Sequence, residues 1–164
     1  KYDTSAAGSK KSFNDYQVGE LIDHIDGNTI CEADHLFATR LWQNNSKVHF
    51  DINAREDKKR LIYGGHIISL VRALSFNGLE NAQLIVGING GTHANPAFAE
   101  DTIYCWSEVL EKIDLNVRNI AALRLRSVGT KEKNHSMKVK SDDGKYLPTI
   151  VLDFDYWVLV PKEL

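Results

Sequence analysis

The stretch Thr149 to Val160 most constrains what this chain can become. Ile150, Leu152, Phe154, Tyr156, Val158 and Val160 fall on one face, opposite Asp153, Asp155 and Trp157. Side chains alternate across a strand, so this pattern predicts a long strand with one face buried. Such a face needs a cover. The best candidate is the segment Tyr63-Gly64-Gly65-His66-Ile67-Ile68-Ser69-Leu70-Val71-Arg72-Ala73-Leu74-Ser75-Phe76. Ile67, Leu70, Val71 and Leu74 form an i, i+3, i+4, i+7 stripe, and Ile68, Ala73 and Phe76 widen it. The spacing predicts a helix from Gly65 to Phe76, about 18 Å long, apolar over most of its circumference and therefore buried. Asn77-Gly78 supplies its stop.

Other strands are predicted at Leu84 to Ile88, Thr102 to Leu110 and the run Ala121 to Arg126, with a brief one through Val18 to Ile22. Asn89 to Pro96 reads as a loop or bulged edge. Lys131 to Gly144 reads as a polar excursion that turns at Asp143-Gly144. One long helix followed by several antiparallel strands is an α+β architecture, a curved sheet wrapped on a helix. An earlier helix carries Leu36, Phe37 and Leu41 as its core face, with Thr29 and Glu32 as a capping box. Asp51 to Lys59 (DINAREDKK) reads as a charged, solvated helix.

With 164 residues the chain is expected to form one domain, 13–164, behind a loose polar arm, 1–12. It opens at Lys1 rather than Met, as expected of a trimmed product or part of a longer polypeptide. A net charge of -2 and a pI near 6.3 argue against a nucleic-acid footprint. No apolar run approaches the roughly 20 residues of a membrane span. Cys31 and Cys105 have no metal-ligand spacing, so no metal is expected and no disulfide can be argued. A reducing, cytoplasmic setting is the expectation.

Chemistry concentrates in Trp42-Gln43-Asn44-Asn45-Ser46-Lys47-Val48-His49-Phe50-Asp51. An imidazole is the usual proton-transfer group near neutrality, and the Asn44 amide can orient a water or a carbonyl. His49 is either such a group or a half-buried loop histidine bonded to backbone. Gly64 and Gly65 leave bare N–H groups at an electropositive helix end, where a carbonyl gaining negative charge can sit. Alternatively they only permit close packing. His93 can reach a site, although a histidine on a turn is the more common case.

Taken together, Phe37-Ala38 leading to Val48-His49-Phe50-Asp51, then Tyr63-Gly64-Gly65-His66, then Pro96 with Asp101-Thr102, resemble the MaoC-like dehydratase family. These are the hotdog-fold (R)-specific enoyl-CoA hydratases, and the likeness runs from about residue 13 to 162. The asparagine form of the loop resembles the mesaconyl-CoA-hydratase-type members. The resemblance implies hydration or dehydration of the α,β double bond of an acyl-CoA, with CoA belonging to the substrate and no separate cofactor. His49 falls on the family's catalytic histidine and Gly65 on the glycine whose N–H polarises the thioester. Asn44 stands where most members carry aspartate, which would leave His49 as the only base. Gly64, His66, Arg60 and Asp51 are expected around the substrate, with Arg40 or Arg60 meeting a second carboxylate. Glu100 replaces the glycine usual before Asp-Thr. The fold also implies a homodimer or a fused second hotdog half. Two other functions fit the same residues. One is a hotdog thioesterase using Asp51 or Asp101, and the other is an inactive acyl-thioester-binding half of a double hotdog.

Overall fold

The computed structural model describes residues 3, 6–82, 84–133 and 136–162. Its elements are β1 (Leu21–Thr29), α1 (Glu32–Leu41), α2 (Gly64–Leu74), β2 (Leu84–Thr92), β3 (Thr102–Val117), β4 (Ile120–Thr130) and β5 (Ile150–Pro161). The strands form one antiparallel sheet in the order β1-β3-β4-β5-β2. The α+β arrangement with a sheet on a central helix is the one expected from the residues, and it is the hotdog architecture that the family resemblance implies.

From Leu152 on, the inner face of β5 is buried as the alternation requires, with Leu152, Phe154, Tyr156 and Val158 in the core. Ile150, expected on the same face, lies on the other one, because the pairing with β4 shifts register there and Val151 enters the core instead. On the outer face Asp153 and Asp155 pair with Arg126 and Arg124 of β4, so this face is solvated. At one end of it, Trp106, Val128 and Ile150 gather under Val139 from the 131–144 excursion. Gly129 lets the helix seat directly on β4, because a Cβ there would meet Val71 Cγ2 at 2.7 Å.

α2 differs from expectation in its burial. Only Ile67 and Val71 are fully buried, Leu70 and Leu74 are half-buried, and Ala73 and Phe76 are exposed. A single sheet presents one concave face, so it covers one side of a helix that is apolar on more than one. α1 is rotated relative to its apolar pattern. His35, Ala38 and Thr39 face inward, while Phe37 and Leu41 are 70% and 59% exposed. Its N-cap is Cys31 rather than Thr29, because Thr29 pairs with Thr102 in the sheet, Oγ1 to Oγ1 at 2.7 Å.

Asp51 to Lys59 is not a helix beyond the 3₁₀ turn Ile52–Ala54. Asp51 and Asp57 accept from the N–H groups of Asn53 and Lys59, and such local bonds compete with helix formation. β1 starts and ends later than Val18 to Ile22, and β2 runs past Ile88 to Thr92 through two register shifts, a bulged edge. The arm expected over 1–12 is fastened at its inner end, where Asn81 Nδ2 donates to the carbonyls of Ser9 and Lys11. Residues 1, 2, 4 and 5 lie outside the described ones.

Beneath the C-terminal end of α2 runs a buried polar chain. His24 Nδ1 donates to the Asn77 carbonyl (2.5 Å), and its Nε2 meets Ser107 Oγ (2.8 Å). Ser107 meets Ser127 (2.7 Å), which meets the Tyr156 hydroxyl (2.9 Å). A carbonyl only accepts, so in the neutral ring Nε2 accepts from Ser107 and every hydroxyl points the same way. Protonating His24 would reverse the whole chain, and burial already pushes its pKa down. The unfolded chain therefore takes up the proton first. Stability is expected to fall as pH drops below about 6.5, and to be intact above it. Thermal unfolding between pH 8 and 5 checks this, with a shallower pH dependence expected in His24→Gln.

The turn Phe98–Asp101 closes with Asp101 N–H on the Phe98 carbonyl at 3.1 Å, and Glu100 has φ 75°. This is the position where a type II turn favours glycine. Glu100→Gly is expected to stabilise the domain by about 0.5–1 kcal/mol. That would raise Tm by about 2–4 °C per kcal/mol.

Candidate active site

A cavity of about 700 Å³ opens at the N-terminus of α2, lined by Asn44, His49, Leu61 to Gly65 and His93 to Ala97, with Ile67, Ile68 and Val151 behind them. Three segments meet there because each is tied to the next. Leu61 N–H bonds the Val48 carbonyl (2.9 Å), Ile62 N–H bonds the Ala97 carbonyl (2.9 Å), and Ala94 N–H bonds Val151 of β5 (3.1 Å).

His49 ends the 3₁₀ turn Lys47–His49. Its Nδ1 lies 2.8 Å from the Leu61 carbonyl. The carbonyl can only accept, so Nδ1 carries the hydrogen and Nε2 of the neutral ring keeps a lone pair. The ring stands edge-on to Tyr63, centroids 5.9 Å apart. Asn44 follows the end of α1, its N–H on the Thr39 carbonyl (3.0 Å). Its Oδ1 accepts from Ser46 N–H at 2.8 Å. The atom it has left for the cavity is Nδ2, a donor.

Gly64 and Gly65 open α2, with Tyr63 as N-cap and no side chain capping the turn. The N–H groups of His66 and Ile67 turn back to the Tyr63 carbonyl, so the first two remain for the cavity. Both glycines also let an aromatic side chain pack closely. A Cβ on Gly64 would meet His93 Nε2 at 2.5 Å, and one on Gly65 would meet the Tyr63 ring at 2.6 Å. The two readings of these glycines, bare donors and close packing, therefore hold together. Burial pushes the His93 pKa down.

The remaining residues expected around a substrate lie elsewhere. Asp51 Oδ1 caps the Ile52–Ala54 turn. Arg60 pairs with Glu32 and lines a separate cavity of about 280 Å³ with Lys58, Lys59 and Phe98. His66 is half-buried toward α1, where burial and then His35 lower its pKa. Arg40 sits over the Phe50 ring at 5.5 Å. Asp101 bonds the Phe98 N–H and pairs with Lys131. Among the described residues the cavity lining contains no Asp, Glu, Lys or Arg. Among the described residues no group of three or more His, Cys, Asp or Glu is suited to a metal, and no helix is long and apolar enough to cross a membrane.

No family model matches the sequence. Individual relatives do. The chain is 56% identical over 161 residues to mesaconyl-CoA hydratase of Cereibacter sphaeroides, covering 98% of this chain and 47% of that one. It is 52% identical over 166 residues to beta-methylmalyl-CoA dehydratase of Chloroflexus aurantiacus, covering 98% and 47%. The crystal structure of a MaoC domain protein dehydratase from Chloroflexus aurantiacus superposes with a TM-score of 0.94 at 50% identity, over 99% of this chain and 48% of that one. This is a MaoC-like hotdog domain. It spans about half the length of the relatives it matches.

In this MaoC-like domain the three residues marked by family resemblance, Asn44, His49 and Gly65, line one cavity. Gly64 joins them, while His66, Arg60 and Asp51 do not. Tyr63 is the addition, and His93, which the sequence offered only as a turn histidine able to reach a site, lines the cavity too. Tyr63 adjoins the Gly-Gly pair in sequence. The only mark of His93 in the sequence was its place in the Asn89 to Pro96 loop or bulged edge.

Proposed function

We propose that this MaoC-like domain catalyses hydration and dehydration across the α,β double bond of an acyl-CoA thioester. The observation that carries the reading is the His49 Nδ1–Leu61 carbonyl bond, which leaves Nε2 as a base in the cavity that Gly65 also lines. In the hydration direction Nε2 takes a proton from water as the water oxygen bonds the β-carbon. The π electrons move through the α-carbon to the thioester oxygen, where the Gly65 N–H stabilises the enolate charge. The imidazolium then returns its proton to the α-carbon, and the ring is neutral again. Asn44 Nδ2 orients the water by donating to its oxygen. It takes no proton, so His49 performs both transfers.

The names of the relatives favour short branched dicarboxylic acyl groups. The thioesterase reading loses support, because neither Asp51 nor Asp101 lines the cavity. The test follows loss of the enoyl-thioester absorbance beside release of free CoA thiol. Hydration without thiol supports the reading, and thiol release without hydration overturns it.

We also infer that the domain works against a second hotdog unit, either another copy or a fused half. β2 is an edge strand, and Leu84, Val86 and Ile88 on it are exposed. An exposed apolar edge is a template for pairing. Light scattering of the domain at micromolar concentration is expected to give a dimer. A monodisperse monomer would leave only the fused half.

A further inference from the structure

We propose that His93 is a second hydrogen-bond donor to the thioester carbonyl, completing with the Gly65 N–H a two-donor oxyanion site. The inference rests on the acyl-thioester reading above and adds a catalytic residue to it. Side chains on a helix lean toward its N-terminus. The place where a Gly64 Cβ would sit is therefore on the mouth side of α2. His93 occupies it, with Nε2 2.5 Å, Cε1 2.8 Å and Cδ2 3.0 Å from that point. The ring edge thus lies beside the free N–H groups of the first turn.

The loop that carries the ring is tied down by the two residues that follow it. Ala94 N–H bonds the Val151 carbonyl (3.1 Å), and Asn95 Nδ2 donates to the carbonyls of Leu147 (2.9 Å) and Ile150 (2.7 Å). A donor fixed in advance costs no reorganisation when charge develops. The imidazole itself has no hydrogen-bond partner among the described residues, in contrast to His49, whose Nδ1 is taken by Leu61. No acceptor behind His93 selects its tautomer. A bound thioester oxygen, which only accepts, selects the one that donates. Burial favours the neutral ring, and the helix end disfavours a cation beside it. A neutral imidazole still has one N–H to give.

The test uses the full natural polypeptide carrying this domain and a conjugated dienoyl-CoA as probe. Polarising the probe's carbonyl moves its absorption to longer wavelength. His93→Phe keeps a wall and removes the donor, and His93→Gln restores an N–H. His93→Phe is expected to lose part of the red shift and about 10²–10³-fold in kcat, with KM changed only a few-fold. His93→Gln should recover part of both. Gly64→Ala should displace the ring and act in the same direction, and it should add little in the His93→Phe background, as expected of coupled neighbours. A folded His93→Phe protein with the parent's red shift and kcat overturns the inference. If that variant does not fold, the same comparison is read from Gly64→Ala against the parent, and a folded Gly64→Ala protein with the parent's red shift and kcat overturns the inference. A parent that polarises the probe through His93 without hydrating it would sink the hydratase reading and leave the donor assignment standing.

Discussion

Replacing His49 by alanine is expected to slow enoyl-CoA hydration by about 10²- to 10⁴-fold, the usual worth of a positioned acid/base. That corresponds to about 3–5 kcal/mol at about 1.4 kcal/mol per tenfold. The alanine variant also leaves the Leu61 carbonyl without its donor, so part of any loss could be structural. His49→Asn separates the two, since its amide can donate to Leu61 but offers no base. Both variants are expected to be equally slow, with kcat falling far more than KM changes. Asn44→Asp provides the converse. One carboxylate oxygen keeps the bond from Ser46 N–H, and the other replaces the Nδ2 donor with an acceptor able to take a proton. Activity on a simple enoyl-CoA is expected to be kept or raised. If folded His49→Ala hydrates as fast as the parent, His49 is a structural histidine and the loop is a binding element.

The second large effect is at Gly65. Removing one oxyanion donor typically costs on the order of 10²–10³ in turnover, and proline removes the N–H outright. Proline is tolerated in the first helical turn, but here a Cβ also meets the Tyr63 ring at 2.6 Å. Gly65→Ala is therefore the reference, because it adds the same carbon and keeps the N–H. Turnover of Gly65→Pro is expected to lie about 10²–10³-fold below that of Gly65→Ala, with both folded by circular dichroism. Equal turnover in the two would remove the N–H from the mechanism.

Strand periodicity is a local property, and it was legible. From Leu152 to Val160 β5 has the faces its alternation demands, because each side chain's direction follows from its own backbone. The pattern fails only at Ile150, where the pairing with β4 shifts register. The helix behind the Gly-Gly pair was equally legible, although its burial was not, since that depends on how much sheet the chain brings to it. α1 misled for a related reason. Phe37 and Leu41 form an apolar stripe, but the face turned inward carries His35 and Thr39, bonded to Glu32 and to the His35 carbonyl. The stretch after His49 had helical charge spacing, yet Asp51 and Asp57 bond their own loop instead.

By itself the sequence determined the strand type of β5 and the helix type of α2 and, through family resemblance, the trio Asn44, His49 and Gly65. These are matters of residue identity and short spacing. Tertiary structure decided which neighbours share the cavity. Arg60 stands four residues from Gly64 in sequence, but Glu32, 28 residues before it, pairs with its guanidinium outside the cavity. His93 is far from both glycines in sequence and reaches Gly64 only because β5 and the Asn95 amide hold its loop. The tautomer of His49 was likewise decided by a carbonyl 12 residues on. A hydrogen bond across the fold depends on where two separate segments are packed, and no periodicity within either segment encodes that position.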